Sequence, residues 1–336
     1  MTRRITPTAV RLLPADADNA EWLAARQADN RIGSSDVAAI LGVADKRTAL
    51  HVYRDKRGEV ADNAGEAALW GKLLEDPVAR EWARRNRSVI QRVGLIANVD
   101  HPWRTSTLDR RVAECPLDRS VRTACALEVK CRNAYTAPSR WRGDVPDDVL
   151  AQTVWQMAVT GYDHIHVAVL IGGNDYRQTV VRWDQAIADY ITGDVTAWRE
   201  AHLIAGVEPP WDLDKAGALI ELDNLMHPDR SGTRELSVED IGAVMEYAAL
   251  SGRHGAAGRA LKRSRAELGR LASGHQAVTF DGEMAFEFNP VTKPKVDLAR
   301  LAEQWPLAYA DCVGATHYYQ IRIAPAYRLN GSNEDE

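Results

Sequence analysis

The sequence predicts a mixed α/β fold followed by a smaller α+β region, and three observations carry that reading. Two β-rich runs at 104–112 and 123–131 flank a turn sequence, and a helical run then separates them from a second pair of β-rich segments. Beyond about residue 215 the pattern becomes helical and closes on a hairpin signal. With 336 residues and 45% hydrophobic content, the chain can bury one large core or two modest ones.

Taken in order, "GSSDVAAILG" (33–42) reads as a short helix with Ser34 or Ser35 as N-cap and Gly42 as its C-terminal stop. Residues 66–85 place Leu69, Leu73, Val78 and Trp82 at helical spacing, with Pro77 expected to kink the helix. Residues 104–112 and 123–131 read as strands joined through "ECPLDRS" into an antiparallel hairpin. A helix is expected over "DDVLAQTVWQMAVT" (147–160), then a strand "HIHVAVLIGG" stopped by glycines and a partner strand "YRQTVVRWD". The expected sheet is mixed and flanked by helices. Further on, Ser237 and Asp240 resemble a capping box before a helix reaching about residue 271, with a break at "SGRHG". The Asp-Gly of "AVTFDGEMAFEF" is a hairpin signal. The expected organisation is a first domain at 1–215, a second, α+β domain at 216–330, and an acidic tail at 331–336.

Composition narrows the function classes. The longest apolar run, "VAVLIGG", is far too short to span a bilayer, so no membrane association is expected and the cytoplasm is the expected compartment. Cys115, Cys125, Cys131 and Cys312 lack CxxC spacing, so they are read as reduced thiols rather than a disulfide framework or zinc ribbon. The net charge of −5 argues against a nucleic-acid partner, but its distribution argues the reverse. Between residues 80 and 142 there are fourteen Arg and Lys against six Asp and Glu. A solvated basic face would give the same count.

The chemistry concentrates in "TACALEVKCR" (123–132). Strand alternation puts Cys125, Leu127, Val129 and Cys131 on one face and Ala126, Glu128 and Lys130 on the other. Burying an ionised carboxylate and an ammonium costs several kcal/mol each unless they are paired or bound to metal, so the second face is expected to line a wet cleft. The preceding run "TSTLDRRV" brings Asp109 alongside across the hairpin. Two carboxylates suit a hard divalent cation such as Mg2+ or Mn2+, and a neighbouring lysine can orient and help deprotonate an attacking water. That set serves phosphodiester hydrolysis. A surface ion pair on an amphipathic strand would use the same residues.

Five segments occur in one order and spacing: "RIGSSDVAAILG" (31–42), "WGKLLEDPVAREW" (70–82), "HPWRTSTLDRRV" (101–112), "ALEVKC" (126–131) and "WRGDVPDDVLAQTVWQMAVTGYDHIHVAVLIGG" (141–173). Together they resemble the YqaJ-like phage recombination nucleases, related to lambda exonuclease within the PD-(D/E)XK superfamily, over roughly residues 28 to 200. The C-terminal "FNPVTKPKVDLARLAEQWP" and "YYQIRIAP" resemble the tail of YqaJ-type proteins more loosely.

The resemblance implies a restriction-endonuclease-like core with a mixed central sheet. It implies that Asp109, Glu128 and the backbone carbonyl of Val129 hold the metal, that Lys130 positions the water, and that Glu75 completes the site through a second metal or a water. Gln152 would face the cleft, with Gln156 one turn later on the same helix face. "LD" stands where the family has "PD" before the first acid. Arg31, Ser34 and Ser35 match the family's 5′-phosphate pocket, where hydroxyls, helix amides and a guanidinium would make an anion site. Asp36 is expected to point away from that pocket, and a plain capped helix beside a surface arginine would also explain these residues.

The implied activity is Mg2+-dependent 5′-to-3′ resection of linear double-stranded DNA, leaving 3′ single strands for phage-type recombination. A single-strand-annealing protein is the implied partner and a trimer the implied assembly. An endonuclease on the same core, restriction-like or structure-specific, is the nearest alternative, and a non-catalytic DNA-binding scaffold the more distant one. Some superfamily members carry an iron–sulfur cluster, but Cys125 and Cys131 fall on the core face and no tight cysteine triplet follows, so none is expected here.

Overall fold

Why the Glu128 strand carries both a core and a site follows from what covers its two faces. The computed structural model describes residues 4–60, 65–117, 125–135, 137, 141, 145–292, 297–314 and 321–324. The chain divides into two compact units, residues 1–230 and 231–336.

The first unit runs β1 (Ala9–Arg11), α1 (Asn19–Gln27), α2 (Ser34–Ile40), α3 (Ala49–Lys56), α4 (Glu66–Asn86), β2 (Ile90–Gln91), β3 (Leu95–Asn98), β4 (Thr105–Thr107), β5 (Arg110–Val112), β6 (Cys125–Arg132), α5 (Asp147–Thr160), β7 (His164–Ile171), β8 (Asp175–Arg182), α6 (Gln185–Trp198) and α7 (Ala216–Met226). Its main sheet has the order β2-β5-β6-β7-β8. Only β6 and β7 pair in parallel, Glu128 opposite Val167, and the neighbouring pairs are antiparallel. A parallel pair needs a crossover, and α5 supplies it. The sheet is therefore mixed and flanked by helices, as the sequence predicts.

Strand alternation sorts the two faces. Ala126, Ile165, Val167 and Val169 pack with Val149, Val154 and Trp155 on the α5 side. Cys125, Leu127, Val129 and Ala168 pack with Val78, Ala79 and Trp82 of α4 on the other. Trp82 and Trp155 are fully buried, and truncation of either to alanine would cost about 3–5 kcal/mol. β6 is thus covered on both sides, and the expected wet face does not exist in that simple form. Glu128 lies under α5 at 2% exposure.

Other expectations meet differences with physical reasons. The run 104–112 is two strands in two sheets. β4 pairs with β3, which pairs with β1, while β5 joins the main sheet. Thr105 donates its amide and hydroxyl to Ile32 O, and Trp155 Nε1 donates to Thr105 O at 3.1 Å, drawing β4 away from β6. Leu108 and Asp109 form the joint. The expected turn at 114–120 lies partly outside the described residues. In α2 the N-cap is Gly33, because the Asp36 side chain reaches back to the Gly33 amide at 3.0 Å. Gly42 follows the helix at φ +75°, the left-handed stop expected of it. The helix α4 continues through Pro77, but only its second half is buried: Leu69 and Leu73 are exposed while Val78 and Trp82 are not. The helix α7 packs Leu219 and Leu222 on Leu50 and Tyr53, so the first unit reaches past the expected boundary at 215.

The second unit contains α8 (Ile241–Ala272), β9 (Ala277–Phe280), β10 (Glu283–Glu287), α9 (Leu298–Gln304) and α10 (Pro306–Cys312). The helix α8 is unbroken through "SGRHG"; a glycine inside a helix costs only about 1 kcal/mol relative to alanine, and 32 residues of helix absorb it. β9 and β10 form the expected hairpin, with Asp281 at φ +51° and Gly282 at φ +78° as a type I′ turn requires. The acidic tail, 331–336, lies outside the described residues. Among the described residues, no helix is long and apolar enough to cross a membrane.

Candidate active site

Register places the acids. β5 pairs Arg110 with Leu127, which sets Asp109 level with Glu128 just beyond the last paired residue. Val129 N–H donates to Asp109 Oδ2 at 2.7 Å, fixing the carboxylate at the strand joint. Glu128 Oε1 accepts from Lys130 Nζ and, at 2.7 Å, from Gln152 Nε2; Oε2 accepts from Gln156 Nε2 at 2.6 Å. Lys130 Nζ also donates to Gln152 Oε1 at 2.7 Å. The helix α5 delivers the two glutamines one turn apart onto the same carboxylate.

The electrostatics are unbalanced around Asp109. Glu128 has three donors, whereas Asp109 has one amide. Burial first, and then the neighbouring Glu128 charge with a contribution from Glu75, hold the Asp109 carboxyl well above the usual carboxylate range. Lys130 and the Val129 amide act the other way and are outweighed. A buried and a half-buried acid that repel one another are what a divalent cation relieves, and the donor set of carboxylate and carbonyl oxygens is hard. The residues present fit a Mg2+ or Mn2+ ion.

Glu75 on α4 approaches from the opposite side, held by Arg110 Nη1 at 2.5 Å. Arg110 also donates to Asp76 Oδ1 at 2.8 Å and to the Asp109 carbonyl, with its own side chain 4% exposed. In the sequence, Arg110 stands out only as part of a basic cluster. Its position directly after Asp109, alternating to the α4 face, was the available signal. Gln156, read only as a neighbour of Gln152, is fully buried and bonds Glu128 directly.

The residues of the expected phosphate pocket separate. Arg31 is mostly buried and donates to Ala25 O and Asp29 Oδ2, both at 2.8 Å. Ser34 is buried and accepts from Ser106 Oγ at 3.3 Å, while Ser35 is exposed and accepts from Arg26 Nη2 at 3.2 Å. Asp36 is fully buried in a cage of cations, Lys56 at 2.8 Å, Arg47 at 2.9 Å and Arg26 at 3.1 Å, and through Arg26 it stays beside Ser35 rather than turned away from it. That cage overcomes the burial cost and holds its carboxyl far below the usual range.

A mixed sheet whose central strand presents ExK beside an acid just ahead of the adjoining strand defines the class: an α/β protein with a carboxylate pair, Glu128 buried and Asp109 half-buried. Residues 21–163 match the YqaJ-like viral recombinase domain. The chain is similar to the uncharacterized protein YqaJ of Bacillus subtilis (strain 168), 24% identical over 315 residues, covering 90% of this chain and 93% of that one. Among solved structures, an alkaline exonuclease (LHK-Exo) from Laribacter hongkongensis aligns over 60% of this chain and all of its own, at 20% identity and TM-score 0.45. The same enzyme in complex with dAMP aligns at 22% identity and TM-score 0.47, with the same coverage.

Proposed function

We propose that this chain is a divalent-metal-dependent deoxyribonuclease that resects linear double-stranded DNA from 5′ ends during recombination. The observation that carries the reading is the Asp109–Glu128 pair with Lys130 on the same carboxylate, inside a YqaJ-like recombinase domain. Asp109, Glu128 and the Val129 carbonyl would hold Mg2+ or Mn2+, which supplies Lewis-acid polarisation of the phosphodiester and its attacking water.

The chain's own groups do the rest. Lys130 Nζ, shared between Glu128 and Gln152, is held where it can orient a water and offer positive charge to the developing phosphorane oxygens. Gln152 keeps that ammonium in place, and Gln156 fixes Glu128 by donating to its second oxygen. Arg110 holds Glu75 and the Asp109 backbone together, so Glu75 stays within electrostatic reach of the pair. Arg31, Ser34 and Ser35 are the groups proposed to receive a 5′-phosphate, with Arg26 bonded to Ser35.

A single-strand-annealing protein is the proposed partner, and a homo-oligomer, a trimer by family resemblance, the proposed assembly. The test is digestion of linear DNA with magnesium by the wild type, Asp109→Ala and Lys130→Ala. Loss of at least about 100-fold in either variant, with the fold intact by circular dichroism, is expected. Wild-type digestion by either variant overturns the assignment. Covalently closed circular DNA separates an exonuclease, which leaves it whole, from an endonuclease.

A further inference from the structure

On the opposite face of the same sheet, under α4, four soft donors converge. Cys115 lies just past β5, Cys125 opens β6, and His164 and His166 stand two apart on β7. Their ligand atoms all lie within 4.8 Å of one another. Cys115 Sγ is 3.1 Å from His164 Nε2 and 3.4 Å from His166 Nε2. All four residues are buried at 5% exposure or less.

From these positions we infer that Cys115, Cys125, His164 and His166 form a structural zinc site, independent of the Asp109–Glu128 centre. Two thiolates and two imidazoles match the closed tetrahedral set zinc takes in structural sites, and they disfavour magnesium. The surroundings support a ligand role. The Asp163 carboxylate bonds His164 Nδ1, so His164 turns Nε2 toward the sulfurs, the carboxylate–histidine arrangement that orients metal-bound imidazoles. Trp82 lies with its ring centre 4.9 Å from that of His166 and closes the outer side. The neighbours are apolar: Val78, Ala79, Val112 and Leu127.

Without an ion, the facing atoms of these side chains meet one another through weak sulfur contacts, a poor return for their burial. With one, β6, β7 and the segment just after β5 are pinned together. Cys125 and Glu128 are three residues apart on one strand and so face opposite sides. The zinc would therefore fix the strand that presents Glu128 and Lys130 without touching the reacting atoms. Sequence spacing hid the site, because its cysteines come from separate elements and its histidines alternate along a strand rather than forming a finger pattern.

The experiment is metal analysis of the full chain purified under reducing conditions without chelator. About one zinc per chain is expected in the wild type and in Asp109→Ala, and a small fraction of that in Cys125→Ser and His166→Gln. Because a ligand variant that does not fold reports nothing on the metal, the wild type is also titrated with a thiol-blocking mercurial beside a chromogenic chelator. Release of one zinc as two protected thiols react supports the site, as does a tetrahedral thiolate spectrum after cobalt substitution. A folded wild type with no bound metal, one in which iron fills the site, or a Cys115–Cys125 disulfide overturns it.

Discussion

Asp36→Ala should unfold the first unit at markedly lower temperature, and the structure sets the size of the effect. Asp36 is fully buried, with Lys56 at 2.8 Å, Arg47 at 2.9 Å and Arg26 at 3.1 Å. Their side chains are 2%, 31% and 16% exposed. Once the carboxylate is gone, Arg47 still has Asp55 at 2.7 Å and Arg26 still has Ser35, but Lys56 keeps only the Arg26 carbonyl at 3.2 Å. Leaving one buried charge uncompensated costs about 3–5 kcal/mol. For a unit of this size each kcal/mol moves the midpoint by about 2–4 °C, so a fall of roughly 6–20 °C is expected.

Nine of the ten tryptophans lie within residues 1–230, so tryptophan fluorescence follows the relevant transition. The sign with pH follows from a depressed carboxyl: its stabilisation is present above the ordinary value of about 4 and is lost as pH falls toward the folded value. The gap between wild type and variant should be flat at neutral pH and narrow in acid. Replacing both partners, Asp36→Asn with Lys56→Met, should recover much of the loss. A single variant that melts within about 2 °C of wild type, or a double no better than the single, refutes the cage as an organiser of α2.

Other outcomes follow from the site. Asp109→Asn should raise the midpoint of the metal-free protein by a few degrees while abolishing digestion, because it removes a carboxylate held above its ordinary pKa; the gain appears as pH rises through that raised value and vanishes below about 4, as melts across a pH series will read. Arg110→Ala should lower activity and release Glu75, with Arg110→Lys restoring only part because one ammonium cannot bridge Glu75, Asp76 and a carbonyl; unchanged digestion would remove Arg110 from the account. Arg31→Ala should reduce the preference for 5′-phosphorylated over 5′-hydroxyl ends, read as a ratio of initial rates, and an unchanged ratio counts against the pocket.

Much of the first unit was legible because its signals are local. The helix Asp147–Thr160 and the strands His164–Ile171 and Asp175–Arg182 fall where periodicity and the glycine stop put them. The convergence of Asp109, Glu128 and Lys130 was legible too, since it needs only strand alternation and one hairpin, whereas Gln152 was legible only through the family resemblance and reads otherwise as a surface glutamine. What sequence could not supply was tertiary. The division of 104–112 between two sheets depends on Ile32 and Trp155, which lie far away along the chain. Burial of the Glu128 face depends on where α5 crosses. Asp36 reads as an ordinary first-turn acid until Lys56 and Arg47 fold onto it. Cys115 and Cys125 read as unrelated thiols until β7 brings His164 and His166 between them.

If the Asp109–Glu128 pair works as a nuclease centre, end-labelled linear duplex DNA is the substrate on which it will show. With magnesium the label should be released from 5′ ends while a closed circle in the same tube stays intact, and without the ion neither should change. No release with magnesium or manganese, or equal release by Asp109→Ala, would contradict it.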